Sequence, residues 1–320
     1  MAIRRALAPL ATSVFQMIDP IFIPTTLASF LKDIDEVGDW LTGLGLSVDR
    51  TRLQVYRKVF VGVTRARISG KLEQFAETFP PELYSGCFSD VGSIRAIKRA
   101  FLRTRSRALR EVLKRGAEGA HLLRDEKPDG NKARDHLFQL LVASYFRHRG
   151  IPVYLNWKND GTRPDVIARL EYFSFDIECK RVQFSSSVSS AVAEAMGQLE
   201  TANLRFVRKS RARRRPLIVL DVSKLCFAGA TLLEFEEHRH YAAFVEYSVT
   251  KVALAIERGT ARHPIPPCFT ILIHLSIPAF VHEARCLVQA IKLHYCSTAE
   301  IGSSDAIAVQ RLMECVGPGI

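Results

Sequence analysis

The chain lacks the cysteine pattern of a zinc-binding or disulfide-bonded module. It has seven cysteines, an odd number, and they are widely spaced with no C-x-x-C pair. This usage is typical of a reducing compartment, where structural disulfides are rare. A zinc module is therefore not expected.

The chain also lacks an apolar run that approaches the length of about 20 residues needed to span a bilayer. Near the N-terminus, Gln16, Asp19 and prolines interrupt the apolar stretch that follows the Arg4-Arg5 pair, so no signal peptide is predicted. No internal repeat or low-complexity tract stands out. We expect a cytoplasmic protein with no membrane partner.

Acidic residues are the scarcer charged class. The 320 residues include 33 aspartates and glutamates against 45 lysines and arginines, which gives a formal net charge of +12 and favours a polyanionic partner. The basic residues crowd two segments, 95–115 and 205–215. Such clusters neutralise phosphates with little dependence on base sequence. Nucleic acid is therefore the expected partner, and a solvated basic face is the alternative for each segment.

Two short segments near the middle of the chain predict a β-hairpin. Residues 166–170 and 173–177 are rich in β-branched, aromatic and aliphatic side chains, and only Glu171-Tyr172 separates them. Pro164-Asp165 precedes the first strand, where a proline costs no ladder hydrogen bond. The hairpin is expected to carry Asp165 back alongside Glu178.

Side chains alternate between two faces along the second predicted strand. Cys179 falls on the apolar face and is expected to belong to the core, whereas Glu178 and Lys180 share the polar face. With Asp165, they place two carboxylates and one ammonium close together. The alternative is an ordinary edge hairpin with solvated charges, because short E-x-K strings occur by chance.

The three side chains have the chemistry that phosphodiester hydrolysis needs. Mg²⁺ binds to one or two carboxylates plus water and substrate oxygens, and it lowers the pKa of a bound water. Asp165 and Glu178 are the predicted ligands of Mg²⁺ or Mn²⁺, and the backbone carbonyl of Cys179 is a further candidate oxygen ligand. Lys180 is predicted to hold the attacking water or to neutralise charge on the phosphorus.

The motifs Pro164-Asp165 and Glu178-Cys179-Lys180 resemble those of the PD-(D/E)xK nuclease superfamily, and the resemblance covers roughly residues 130–225. The predicted elements around them are a helix, three strands, a helix and a strand, at 131–146, 151–155, 166–170, 173–180, 188–207 and 217–220. The resemblance implies an α/β protein with a restriction-endonuclease-like core. Its mixed sheet is expected to end in a strand that follows a helical crossover and runs parallel to its neighbour.

Two further positions are compared with the superfamily pattern. Many members carry a glutamate on the first helix, and this chain has Gln139 at the most similar place, with Asp135 four residues earlier on the same helix face. A glutamine on the second helix is common near the catalytic lysine, and Gln198 is similar to it. The resemblance therefore adds Gln139 and Gln198 to the predicted catalytic residues, with Asp135 as a substitute ligand.

The function that the resemblance implies is a Mg²⁺-dependent endonuclease that hydrolyses DNA and leaves a 5′-phosphate, in restriction, phage defence or repair. A homodimer is expected because cutting two strands needs two sites. The alternative is a catalytically silent nucleic-acid-binding or scaffold protein that keeps the fold, and Gln139 is its main support. RNA stays open as the substrate, because phosphate contacts do not distinguish it from DNA.

The flanking regions carry no motif of this kind. We predict a mostly helical N-terminal region over 1–123 and the nuclease-like core over 124–225. An α/β extension is predicted over 226–320, and its strands could continue the core sheet. Within the extension, the spacing predicts helices at 234–256 and 281–294 and a strand at 269–273.

Overall fold

The chain is an α/β protein. The computed structural model describes residues 16–17, 20–49, 51–71, 81–119, 132–158, 163–206, 213–226, 233–260, 269–297 and 303–316. Over these ranges nine strands form one mixed sheet. They are Gln16–Met17 (β1), Ile21–Thr25 (β2), Val153–Leu155 (β3), Val166–Leu170 (β4), Phe173–Arg181 (β5), Arg213–Asp221 (β6), Leu233–Phe235 (β7), Thr270–Val281 (β8) and Cys286–Ser297 (β9).

Helices cover both faces of the sheet. In the described ranges they are Leu27–Gly43 (α1), Arg52–Ile68 (α2), Pro81–Phe101 (α3), Arg107–Ala117 (α4), Ala133–His148 (α5), Val188–Phe206 (α6), Ser223–Cys226 (α7), His238–Thr260 (α8) and Ser304–Cys315 (α9), with a 3₁₀ turn at Ser185–Ser187. One apolar core packs α1 to α5 and α9 against the first face, and another packs α6 and α8 against the second. None of these helices has the length and apolar composition needed to cross a bilayer.

The strand order places the parallel strands in the middle of the sheet. The main path runs β1-β9-β8-β6-β5-β4-β3, with β2 also paired to β9 and β7 to β8. Strand β6 lies between β5 and β8 and is parallel to both, whereas β3, β4 and β5 form an antiparallel meander. The carboxyl ends of β5 and β6 therefore meet at Arg181 and Asp221, while β8 continues past His274 to Val281. Ligands bind at the carboxyl ends of parallel strands in many open α/β sheets.

The predicted hairpin is confirmed. Strands β4 and β5 pair in antiparallel register, and Val166 lies opposite Ile177. Glu171 in the two-residue turn adopts a φ of 49°, the left-handed conformation that tight hairpin turns require. The alternation is confirmed as well, because Phe175, Ile177 and Cys179 enter the first apolar core together.

The elements predicted between 131 and 220 are present in the predicted order, but α5 differs in character. It was expected to be amphipathic, and it is buried along nearly its whole length because α3 and α4 cover the side that does not face the sheet. The helices α4 and α5 approach closely at Gly116, where a Cβ atom would lie 3.3 Å from the backbone nitrogen of Leu137. An added Cβ atom would therefore require the two helix backbones to move apart by a few tenths of an ångström.

Two predictions for the C-terminal region were wrong. The helix predicted over 281–294 is the strand β9, and the helix predicted from residue 234 begins at His238, because residues 233–235 form β7. Leu287, Val288 and Ile291 have helical spacing, but both faces of β9 are largely covered, so no alternation marks it as a strand. Since β2 pairs with β9, N-terminal and C-terminal segments share one sheet. The predicted boundary between residues 123 and 124 lies outside the described ranges.

Candidate active site

Asp165 and Glu178 lie side by side where β4 begins. The backbone N–H of Asp165 donates to Oε2 of Glu178 over 3.2 Å, and the backbone N–H of Cys179 donates to Oδ2 of Asp165 over 3.0 Å. Both residues are buried: 8% of the surface of Asp165 and 6% of that of Glu178 is exposed. The structure thus brings together the two residues that the hairpin was predicted to join.

The two carboxylates disfavour each other's charge. Burial raises the pKa of Asp165 to about 6, although the Cys179 N–H and the nearby Lys180 ammonium oppose the rise. Burial and the charge of Asp165 raise the pKa of Glu178 to about 8. Full ionisation of both carboxyl groups is therefore unfavourable near neutral pH, and a cation placed beside them would favour the fully ionised state.

Gln139 contacts the pair from α5. Its Nε2 donates to Oδ1 of Asp165 over 2.8 Å, and its Oε1 lies 3.3 Å from Nδ1 of His136. His136 is buried, and burial lowers its pKa. His136 lies three residues before Gln139 on α5, and this spacing makes two side chains neighbours on a helix, so the contact could have been found from the sequence. In the structure it fixes the direction of the Gln139 amide.

Lys180 extends from the polar face of β5, as the alternation predicted. Its Nζ lies 2.6 Å from Oε1 of Glu194 on α6. Glu194 was not predicted as a site residue, and its side chain is 62% exposed, whereas that of Lys180 is 17% exposed. The pair is therefore open to solvent on one side, and an ion pair of this kind contributes little to stability.

Two candidates remain, Gln198 on α6 and Asp135 on α5. Gln198 lies one helical turn after Glu194 on α6, and its buried Oε1 has no hydrogen-bond partner among the described residues. Asp135 lies in the first turn of α5 and faces Arg181, with 3.5 Å between Oδ1 and the guanidinium Nη1. Its charge still raises the pKa of Asp165.

The donor set fits Mg²⁺ better than a protein-enclosed metal. Among the described residues, no three or more histidine, cysteine, aspartate and glutamate side chains are grouped to hold a metal ion. Mg²⁺ needs only one or two carboxylates, because it keeps several waters. In a ladder a residue directs its N–H and carbonyl to the same neighbour, so the Cys179 carbonyl faces the side on which Asp165 lies. Asp165, Glu178 and that carbonyl could hold such an ion.

The first basic segment contributes an exposed surface beside the site. Arg107, Arg110 and Lys114 are exposed and lie at helical spacing on one side of α4; we call them the α4 basic face. The guanidinium of Arg107 lies 4.8 Å from the ring centre of Trp157. The residue before this tryptophan, Asn156, donates its N–H to the Asp165 carbonyl over 2.9 Å. Two other cations of the segment are already paired, Arg95 with Asp33 and Lys98 with Glu36.

The described part of the second basic segment lies away from the carboxylate pair. Residues 207–212 lie outside the described ranges, whereas Arg214 and Arg215 begin β6 and pair with Asp176 and Asp305. Arg214 lies opposite Ser174 in the β5–β6 register, four residues and therefore about 13 Å along the strand from Glu178. The described part of this segment is thus at the opposite end of the strands from the carboxylate pair.

No protein-family model, curated protein or solved structure matches the chain. Its function has to be inferred from the residues that the fold brings together. Of these, the contacts of Asp165 with Glu178, Gln139 and the Cys179 N–H form a connected group that α5, β4 and β5 hold in place.

Proposed function

We propose that the protein is a metal-dependent nuclease that hydrolyses phosphodiester bonds in DNA. The observation that carries the proposal is that two buried carboxylate residues adjoin each other, with the backbone N–H of Asp165 bonded to the Glu178 carboxylate and Lys180 two residues along the same strand. A fold gains nothing from burying two unneutralised carboxylates, because each raises the free energy of the other's charged form. A divalent cation supplied by the function would compensate for that cost.

The order of elements supports a restriction-endonuclease-like core and membership of the PD-(D/E)xK superfamily. Helix α5, strands β3 to β5, helix α6 and strand β6 follow one another along the chain, and β6 is parallel to β5. This is the arrangement that the sequence resemblance implies. The motif residues lie where β4 begins and on β5, as that core requires.

The chain's own residues would divide the work of hydrolysis. Asp165, Glu178 and the carbonyl of Cys179 would hold Mg²⁺ or Mn²⁺, which would stabilise charge on the phosphate and lower the pKa of a bound water. Lys180 would place its ammonium near the phosphate and stabilise negative charge that develops there. Glu194 would hold the ammonium until substrate arrives, since its carboxylate is exposed and the ion pair is weak.

The α4 basic face supports DNA as the partner. Arg107, the first of its three cations, lies over Trp157, and the residue before Trp157 is bonded to the Asp165 carbonyl. Exposed cations of this kind contact the phosphates of nucleic acids. A homodimer would supply the second site that cutting both strands needs. The cations do not distinguish DNA from RNA, so the choice between them is part of the test.

Replacing two residues of the α4 basic face tests the binding surface. In the double variant Arg110→Ala/Lys114→Ala we expect weaker DNA binding in EDTA and a plot of log affinity against log salt that is shallower by about 2, one for each lost phosphate contact. Fluorescence anisotropy over a salt series measures both quantities. The exposed pair Lys251→Ala/Arg311→Ala is the matched control and should leave the slope unchanged; equal slopes for both double variants would remove the α4 basic face from the proposal.

A catalytically silent nucleic-acid-binding protein is the second candidate. It is favoured by Gln139, which occupies an oxygen of Asp165 with an amide donor, and by the ion pair that holds Lys180 to Glu194. This candidate predicts salt-dependent binding without turnover. Assays of duplex DNA, single-stranded DNA and RNA with one preparation over a Mg²⁺ and Mn²⁺ titration separate the two functions and identify the substrate.

Restoring a carboxylate at Gln139 gives a further prediction. Gln139→Glu should lower the melting temperature in EDTA by several degrees, because it replaces a hydrogen-bond donor to Asp165 with a third buried negative charge. Mg²⁺ should then raise the melting temperature of the variant more than that of the wild type. Scanning calorimetry measures both shifts, and the exposed change Gln310→Glu is the control. If Mg²⁺ raises the melting temperature of Gln139→Glu no more than that of the wild type, the result would count against a metal between these side chains.

A further inference from the structure

A second polar cluster lies at the carboxyl end of β6, beside the middle of β8, on the first face of the sheet. Asp221 ends β6, and its Oδ2 accepts a hydrogen bond from Nε of Arg181 over 3.2 Å. Its Oδ1 accepts the backbone N–H of Ser223 over 3.1 Å and also the Ser223 hydroxyl. Burial alone would raise the pKa of Asp221, but its contacts with His274, Arg181 and Ser223 lower the pKa, so Asp221 stays ionised.

His274 is the unusual member of this cluster. It is 2% exposed, and its ring lies between Asp221 and the aromatic rings of Phe138 and Tyr145. Nδ1 lies 3.4 Å from Oδ1 of Asp221, so the carboxylate favours a proton on that nitrogen. Nε2 is buried and has no hydrogen-bond partner within the described part of the chain. A buried polar atom of this kind normally has a partner, which leaves a ligand or ordered water to supply it.

A cavity of about 40 Å³ adjoins the His274 ring. Three cationic side chains line it, those of Arg134, Arg181 and Lys224, against two carboxylates, those of Asp90 and Asp221. Asp90 is already bonded to Arg134 and Arg52, and its pKa is lowered because these charges outweigh its burial. The wall therefore carries an excess of positive charge and hydrogen-bond donors.

We propose that this cavity binds a phosphate group. Its volume is enough for about three water-sized atoms, so the oxygens of a phosphate group could enter it while the rest of the ligand extends through its open side. Arginine and lysine side chains are the usual donors to phosphate oxygens. With its proton on Nδ1, His274 would accept a hydrogen bond at Nε2 from a protonated phosphate oxygen. The cavity lies at the carboxyl ends of the parallel strands β5 and β6, and open α/β sheets bind ligands at such ends.

The site is separate from the nuclease proposed above. His274 lies two residues after Leu272 on β8, and Asp221 lies two residues after Val219 on β6, so both side chains are on the face of the first core. Lys180 points to the opposite face, where it meets α6. Phosphate binding here uses no metal and none of the residues Asp165, Glu178 and Lys180. It can therefore be measured in EDTA, and its failure and the failure of the nuclease proposal are distinguishable.

Titration of the intact protein with inorganic phosphate in EDTA, followed by calorimetry, tests the proposal. We expect saturable binding that Lys224→Met weakens by about tenfold or more, because a charge-assisted hydrogen bond is lost. Lys251→Met, at an exposed lysine of α8, is the matched control and should bind as the wild type does. The variant Lys180→Ala should also bind phosphate normally, whatever its effect on cleavage.

A second variant and a second probe keep the result interpretable. His274→Gln should weaken phosphate binding as well, and circular dichroism establishes whether it is folded; if it is not, Lys224→Met at its partly exposed position carries the test. Oligonucleotides with a 5′-phosphate or a 5′-hydroxyl identify the source of the ligand. A preference for the phosphorylated end that Lys224→Met removes would indicate a nucleic-acid terminus, and equal binding of the two would indicate free phosphate. Phosphate that fails to saturate, or binds Lys224→Met as tightly as the wild type, would leave only ordered water in the cavity and overturn the proposal.

Discussion

Lys180→Ala is expected to slow Mg²⁺-dependent DNA cleavage by a factor of roughly 10²–10³, the usual loss when one group that stabilises transition-state charge is removed. Two effects of the lysine combine in this prediction. Its ammonium would face the phosphate, and its charge lowers the pKa values of both Asp165 and Glu178. Without it, these carboxylates hold their protons more tightly and bind a cation less well.

The fold should tolerate the change, because the only recorded partner of the Lys180 ammonium in the described ranges is the exposed Glu194. Single-turnover rates measured with matched melting curves therefore separate lost chemistry from lost structure. Lys251→Ala is the control for removal of a lysine. A Lys180→Ala protein that cuts DNA as fast as the wild type would show that the lysine has no role in the reaction.

Glu178→Gln is expected to abolish cleavage and to make the protein more stable at alkaline pH. The pKa of Glu178 is about 8 in the folded protein against an ordinary value of 4.5, so the folded state binds the proton more tightly than the unfolded state does. Stability then falls as pH rises from about 4.5 to about 8. The glutamine amide can still accept the hydrogen bond from the Asp165 N–H. Because it does not ionise, the variant escapes this fall in stability, which is on the order of a few kcal/mol since one pKa unit corresponds to about 1.4 kcal/mol.

This effect is measured by the melting temperatures of the wild type and Glu178→Gln between about pH 5 and pH 9. That is the range in which folded Glu178 loses its proton. The difference should be small at the acid end and favour the variant by several degrees at the alkaline end, and Mg²⁺ should stabilise only the wild type. Glu200→Gln, an exposed change on α6, should follow the wild-type curve. A variant that is less stable than the wild type at every pH would show that the carboxylate serves the fold rather than a cation.

The hairpin that carries the candidate site could be predicted because its information is local. Alternation along residues 173–181 and the two-residue turn are read from neighbours in sequence, and the structure confirms both. Strand β9 could not be predicted in this way. It is covered on both faces, which hides its alternation, and its pairing with β2 joins residues that are far apart in the chain.

The same distinction applies within the site. The approach of Glu178 to Asp165 follows from strand register, whereas the contacts of Glu194 with Lys180 and of Gln139 with Asp165 depend on how α6 and α5 pack against the hairpin. No local pattern specifies such packing. The basic segments show the limit of charge counting, because Arg214 and Arg215 are paired with carboxylates at the opposite end of β5 and β6 from the site.

Single-turnover cleavage of duplex DNA by the wild type and by Asp165→Asn, each with Mg²⁺ and with EDTA, tests most directly whether the carboxylate pair is a metal-dependent active site. We predict that only the wild type with Mg²⁺ cuts the duplex, because the variant loses a ligand while it keeps the Cys179 hydrogen bond to the remaining side-chain oxygen. Equal rates for the two proteins, cleavage that persists in EDTA, or no cleavage by the wild type with Mg²⁺ or Mn²⁺ would contradict the proposed function.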